Sequence, residues 1–369
     1  MSTLPEISVS ERASNEYEDM LPSLISSVDK RMTARQEELD LIGSNPLSVM
    51  YDNHENHGSL MLNVLRFNDF ELLKNILPWV LSNYTAKGFS PAYFEEVLDQ
   101  WKKAVAQHLS AEAAQEIIPV YEWMEETVPR MIEQLKANTL VPPDGMKVLA
   151  EARSREIQDF VETLISGDYQ KAHRYIQQRA TDQQSLQQVY DSLIRPAMYE
   201  VGRLWEQGRI SVAYEHLATS VIMRIITYFY VDVVSSEQTK GKALVTASAN
   251  EYHEIGARIV ADFLEMDGWN VSYLGANTPA EDLISMIEDE GHDILCISVT
   301  MPFNLVHARK LISRIREKEQ LQHTCIMVGG LAFTYSSTAA EKLGADAAAA
   351  SAAECVRLAD SWWTEHSHG

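Results

Sequence analysis

Cysteine is scarce: the 369 residues contain three, Cys296, Cys325 and Cys355. An odd number argues against a disulfide framework, and none of the three has metal-ligand spacing. The first two lie in apolar, strand-like runs, where cysteine acts as a small apolar side chain. Basic residues are also in short supply, with 31 Lys and Arg against 53 Asp and Glu, a net charge of −22. That balance opposes a nucleic-acid surface, which needs clustered cations, and it opposes a cationic membrane-binding face. No run approaches the roughly 18 apolar residues of a membrane span. The start, Met1-Ser-Thr-Leu-Pro-Glu-Ile7, lacks the basic and apolar regions of a secretion signal. A cytoplasmic location is expected. There is no internal repeat, and no low-complexity segment beyond Ala347–Ala350.

What is present divides into three stretches. Residues 1–143 read as an all-helical domain, with apolar spacing of three and four in Leu60–Leu65, Phe70–Tyr84, Pro91–His108 and Glu116–Leu135. Trp79, Trp101 and Trp123 lie here among several Phe and Tyr, which suits either an aromatic core or the walls of a pocket for a planar chromophore. Within it, Tyr51-Asp-Asn-His54-Glu-Asn-His57-Gly58 reads two ways. As a helix it puts His54 and His57 on one face, able to ligate haem iron or hydrogen-bond a tetrapyrrole. As an Asp/Asn/Gly-rich turn it leaves them solvated, and the turn is the simpler reading. With no cysteine in this region, a bilin could not be attached there by a thioether bond.

Val141-Pro142-Pro143-Asp144-Gly145 marks a boundary. Four amphipathic segments follow in 146–234, near Val148–Ile165, Tyr169–Ala180, Gln184–Trp205 and Val212–Tyr230, and suggest a four-helix bundle. After the linker Val234–Gly241, strand-like runs alternate with helices through 241–366. That alternation predicts a parallel, doubly wound α/β sheet of flavodoxin-like order, with ligands at the carboxyl ends of the strands.

The chemistry concentrates at those strand ends. Glu251-x-His253-x-x-Gly256 follows the first strand, Ser298-Val299-Thr300 the third and Gly329-Gly330 the fourth. Forty-one residues separate Gly256 from Ser298, and 28 separate Thr300 from Gly329. A carboxylate two residues before a histidine can fix its tautomer for metal ligation.

The pattern resembles the cobalamin-binding domain of B12-dependent mutases and methionine synthase, whose signature is Asp-x-His-x-x-Gly, Ser-x-Leu and Gly-Gly. Glu251 stands in place of Asp and Thr300 in place of Leu. The resemblance implies His253 as the lower axial cobalt ligand and Ser298 as a partner of the displaced benzimidazole. It also implies that Gly256, Gly329 and Gly330 keep a slot open for the nucleotide tail. The helical block adds a second likeness. Trp205, followed after nine residues by Glu215-His216, is similar to the Trp-x9-Glu-His motif of CarH-type B12 photoreceptors. There the Trp packs on the 5′-deoxyadenosyl group, and the Glu and His help to hold it. Leu204 and Glu206 flank Trp205, so the histidine that in such photoreceptors binds cobalt after photolysis has no counterpart beside it. His216 is the nearest candidate in sequence.

These resemblances, which cover 148–365, imply an adenosylcobalamin light sensor rather than an enzyme. Its expected readout is a light-dependent homo-oligomeric state or an unidentified protein partner, without direct nucleic-acid or membrane binding. A photocobilin layout would add biliverdin in the N-terminal domain. The alternatives are a corrinoid methyl-carrier protein and a cobalamin-responsive regulator without photochemistry.

Overall fold

The computed structural model describes residues 7–137, 154–234 and 237–366. The chain forms two compact units, 1–143 and 144–369. The Val141–Gly145 boundary lies outside the described residues, as does the start of the segment read from Val148.

The first unit is helical: α1 (Glu11–Met32), α2 (Gln36–Asp40), α3 (Leu47–Phe67), α4 (Phe70–Ala86), α5 (Pro91–His108) and α6 (Ala111–Lys136). Ser10, Asp69, Ser90 and Ser110 cap α1, α4, α5 and α6 by accepting from first-turn amides, and Pro91 opens α5 where its missing N–H costs nothing. Tyr17, Tyr93, Trp101 and Tyr121 are fully buried in its core. Tyr51–Gly58 is helical and lies inside α3, so the turn reading fails. Its apolar neighbours bury one face, and packing of that face overrides the turn preference of Asp, Asn and Gly.

The second unit begins with a helical cap: α7 (Arg155–Ile165), α8 (Tyr169–Gln177), α9 (Gln183–Val189), a π-helical turn (Tyr190–Ile194), α10 (Arg195–Glu206) and α11 (Val212–Val233). The stretch read as one helix from Gln184 to Trp205 thus contains a bulge. Pro196 has no N–H to donate four residues back, and the Arg195 amide reaches the Tyr190 carbonyl instead.

The α/β part follows as β1 (Lys242–Ala247), α12 (Ile255–Met266), β2 (Asn270–Tyr273), α13 (Ala280–Glu290), β3 (Ile294–Ser298), α14 (Leu305–Arg316), β4 (Cys325–Gly329), α15 (Ala339–Leu343), β5 (Ala347–Ala349) and α16 (Ala352–His366). All pairings are parallel and the order is β2-β1-β3-β4-β5, the expected flavodoxin-like one. Ala243, Val245, Cys296, Met327 and Cys355 share the core between the sheet and α12 and α16. All three cysteines are buried and unbridged.

Candidate functional site

Register brings Ala247, Ser298 and Gly329 side by side at the carboxyl ends of β1, β3 and β4. Beyond β1 the chain turns at Asn250, whose φ of 60° is left-handed, and delivers Glu251 into the protein. Glu251 is 1% exposed. Its two oxygens have separate tasks. Oε2 accepts from the amides of Thr300 and Met301, each at 2.9 Å, and from Asn304 Nδ2 at 3.2 Å. Oε1 faces His253 Nδ1 at 2.5 Å. With Nδ1 committed to a fixed carboxylate, Nε2 is the nitrogen left for a metal, on a side chain that is 51% exposed.

Charge follows the same geometry. Burial works to raise the Glu251 carboxyl, yet its hydrogen bond to His253, with the Met301 amide and Asn304, holds it below the usual carboxylate range. For His253, burial pulls the imidazole down. The hydrogen bond and charge of Glu251 outweigh that, Glu215 of the cap adds to them, and the net shift is upward.

A Cβ on Gly256 would meet only Ser298 Oγ, at 3.7 Å, so the gap between the start of α12 and the end of β3 is kept clear. Gly329 and Gly330 answer first to the protein's own backbone. A Cβ on Gly329 would lie 2.8 Å from the Ala349 carbonyl oxygen, and one on Gly330, whose φ is +106°, 2.3 Å from that of Val299. Thr300 serves Glu251 through its main-chain amide.

In the cap, Trp205 lies in the last turn of α10, and Glu215 and His216 stand near the start of α11. His216 Nδ1 lies 2.7 Å from Glu215 Oε2, and Thr219 donates to Oε1 at 3.0 Å. His216 is 71% exposed. Val212, Tyr214 and Leu217 of α11 and, in the β1 loop, Tyr252 are exposed large apolar side chains. A cavity of about 590 Å³ opens at this end of the bundle, lined by Ser166 after α7, Arg209 and Ile210 between α10 and α11, and Tyr214 of α11.

The N-terminal candidates are built differently. His54 is buried with both ring nitrogens engaged, Nδ1 at 2.6 Å from Asp29 Oδ1 and Nε2 at 3.0 Å from Tyr93 OH. That occupancy leaves it no bond to offer haem iron or a pigment. His57 packs against Trp101 and Tyr121, with ring centroids 4.9 and 5.8 Å apart, and its buried Nε2 has no partner. Burial, then nearby His54, pushes its pKa down to about 3. Tyr51 is partly buried one turn before His54.

Sequence reasoning missed Asn304 and Asn250. Asn304 is buried, donates to the Asn250 carbonyl at 3.0 Å and accepts from Asn250 Nδ2 at 3.1 Å, locking the β1 loop to the loop after β3. The only signal was a polar residue opening the apolar run of α14.

An imidazole with a fixed tautomer at the carboxyl end of the sheet and a clear gap at Gly256 fit a corrinoid held by its cobalt and its nucleotide tail. Residues 241–357 match the B12 binding domain, and 156–230 match a second model with the same description. Neither match reaches the N-terminal unit. The chain is a cobalamin-binding protein, with a helical cap followed by a parallel α/β domain. It is 26% identical over 174 residues to dimethylamine corrinoid protein 3 of Methanosarcina acetivorans, covering 47% of this chain and 81% of that one. It is 29% identical over 165 residues to the HTH-type transcriptional repressor CarA of Myxococcus xanthus, covering 44% of this chain and 53% of the repressor. The solved monomethylamine corrinoid protein of Methanosarcina barkeri is 18% identical, with a TM-score of 0.49 over 55% of this chain and 95% of that one. Among the described residues no helix is long and apolar enough to cross a membrane.

Proposed function

We propose that the protein is a light sensor that holds adenosylcobalamin between cap and α/β domain, with His253 as the lower axial ligand to cobalt. The observation that carries this reading is the pairing of His216 Nδ1 with Glu215 Oε2 at 2.7 Å near the start of α11, with nine residues between Glu215 and Trp205 near the end of α10. Bound adenosylcobalamin supplies a cobalt–carbon bond that visible light breaks. Glu251 holds His253 with Nε2 outward, and Ser298 with Gly256, Gly329 and Gly330 accommodates the nucleotide tail. Trp205 supplies an aromatic wall, and Glu215 and His216 hydrogen-bonding groups, suited to adenine and ribose. These three cap residues make contacts in darkness that they lose in light, which is the differential interaction a two-state switch needs. The readout is a change in cap packing or homo-oligomeric state, sensed by a partner protein or by the N-terminal unit. His216, with Nδ1 on Glu215, is the histidine nearest to Trp205 in sequence and would be the candidate cobalt ligand afterwards. In the N-terminal unit, His57 rather than His54 is the group available to a non-covalently held biliverdin.

A second reading, a methyl-carrying corrinoid protein, is supported by the dimethylamine corrinoid proteins among the relatives. It needs an upper face open to a methyl donor and has no use for the Trp205 arrangement. A light-independent cobalamin-responsive regulator would share the His253 site alone. Purification in darkness with adenosylcobalamin, followed by spectra and size-exclusion before and after green light, separates the three. A light-dependent spectrum with altered elution is expected. A spectrum indifferent to light would overturn the sensor reading, and methyl transfer from the methylcobalamin-loaded protein to a thiol would establish the second.

A further inference from the structure

The cap meets the α/β domain along α12. The seam is mostly apolar: Ile259 and Phe263 belong to the cap's core cluster, and Tyr190 stacks on Phe263 with ring centroids 6.1 Å apart. One carboxylate interrupts it. Asp262, with a side chain 0% exposed, accepts from Tyr190 OH at 2.7 Å through Oδ2 and pairs with Arg258 Nε at 2.8 Å through Oδ1. Arg258 also lies over the rings of Tyr230 from α11 and Tyr273 from β2, at 5.1 and 5.4 Å. Glu265, which hydrogen-bonds Tyr230, completes the set of charged groups around it.

As glue this arrangement is poor, because a buried charge gives up its water and an apolar contact of the same shape holds at least as well. Its advantages are different. It admits one docking register, and on opening Asp262 and Arg258 regain water, which lowers the cost of separation. Tyr190 reaches Asp262 from the π-helical turn that Pro196 imposes, a local departure of the kind that re-aims a side chain. The partner helix, α12, starts two residues after His253. Latch and loop therefore sit on one rigid element, the loop at its start and Asp262 about two turns along it.

We propose that Tyr190–Asp262 is a releasable latch: it holds the cap closed on α12, and its rupture lets the cap separate as a unit from the His253 loop. The latch belongs to the chain itself; only the cofactor arm of its test rests on the cobalamin reading. Tyr190→Phe removes one hydroxyl and keeps the ring stacking. In the full chain without cobalamin, hydrogen exchange should rise about tenfold over 183–206 and 250–263, with β3 and β4 amides unchanged. Release of hydroxocobalamin from the loaded chain should quicken by a similar factor. Unchanged exchange along the seam overturns the latch. So does a uniform rise throughout the second unit, which would mark general destabilisation. If the wild-type chain does not take up hydroxocobalamin, the cofactor reading fails while the exchange experiment still decides the latch.

Discussion

Glu251 shows how much of the proposed site rests on a residue that would not itself touch cobalt. Three donors grip one of its oxygens, so the other can hold His253 in a single tautomer. Asn304 contributes one of those donors and ties Glu251 to the turn at Asn250. Asn304→Ala should therefore weaken imidazole ligation without removing the imidazole. Outer partners of metal ligands are worth about 10–100-fold in affinity, and a cobalamin titration read at the base-off/His-on bands should show a loss of that order. Full affinity in that variant would mean the two backbone amides suffice. The Glu251–His253 pair was legible because the two residues lie two positions apart in sequence. Asn304 was not, because its meeting with Glu251 exists only once β1 and β3 lie in register.

At the scale of elements, α12 links two sites of opposite character. Its first residue follows the exposed His253 loop, while its middle carries the buried Asp262. Burial raises the Asp262 carboxyl to about 6 against the pull of Arg258 and Tyr190. The folded chain thus binds this proton more tightly than the unfolded chain, whose carboxyl keeps an ordinary value. The stability contributed is present in full below about pH 4 and is lost as pH rises through 6. Asp262→Asn has no such proton. Denaturant unfolding of both proteins between pH 4 and 7 should show wild type losing stability relative to the variant as pH rises, and parallel curves would place the Asp262 proton elsewhere. The π-helical turn that aims Tyr190 at Asp262 was hidden inside an unbroken apolar period. Pro196 removes one helical donor there, and the consequence depends on which carbonyl the neighbouring amides can reach. The same limit applied to Tyr51–Gly58, whose polar composition pointed to a turn although its burial lies in a helix.

For the whole molecule, two units with separate cores should unfold as separate transitions, and a ligand held by one stabilises only that one. Calorimetry of the full chain should show one transition moved upward by hydroxocobalamin and the other unmoved. A single transition that shifts as a whole would mean that the units unfold together. The doubly wound α/β class, its strand order and the His253 signature followed from local information: alternation of apolar periods, glycine after strands, and a carboxylate beside a histidine. These are contacts close in sequence, or patterns that one strand or helix displays alone. The division of labour on Glu251, the backbone demands at Gly329 and Gly330, the engagement of both nitrogens of His54 and the Tyr190–Asp262 contact arose from folding. Each joins groups tens of residues apart, and packing sets their distance.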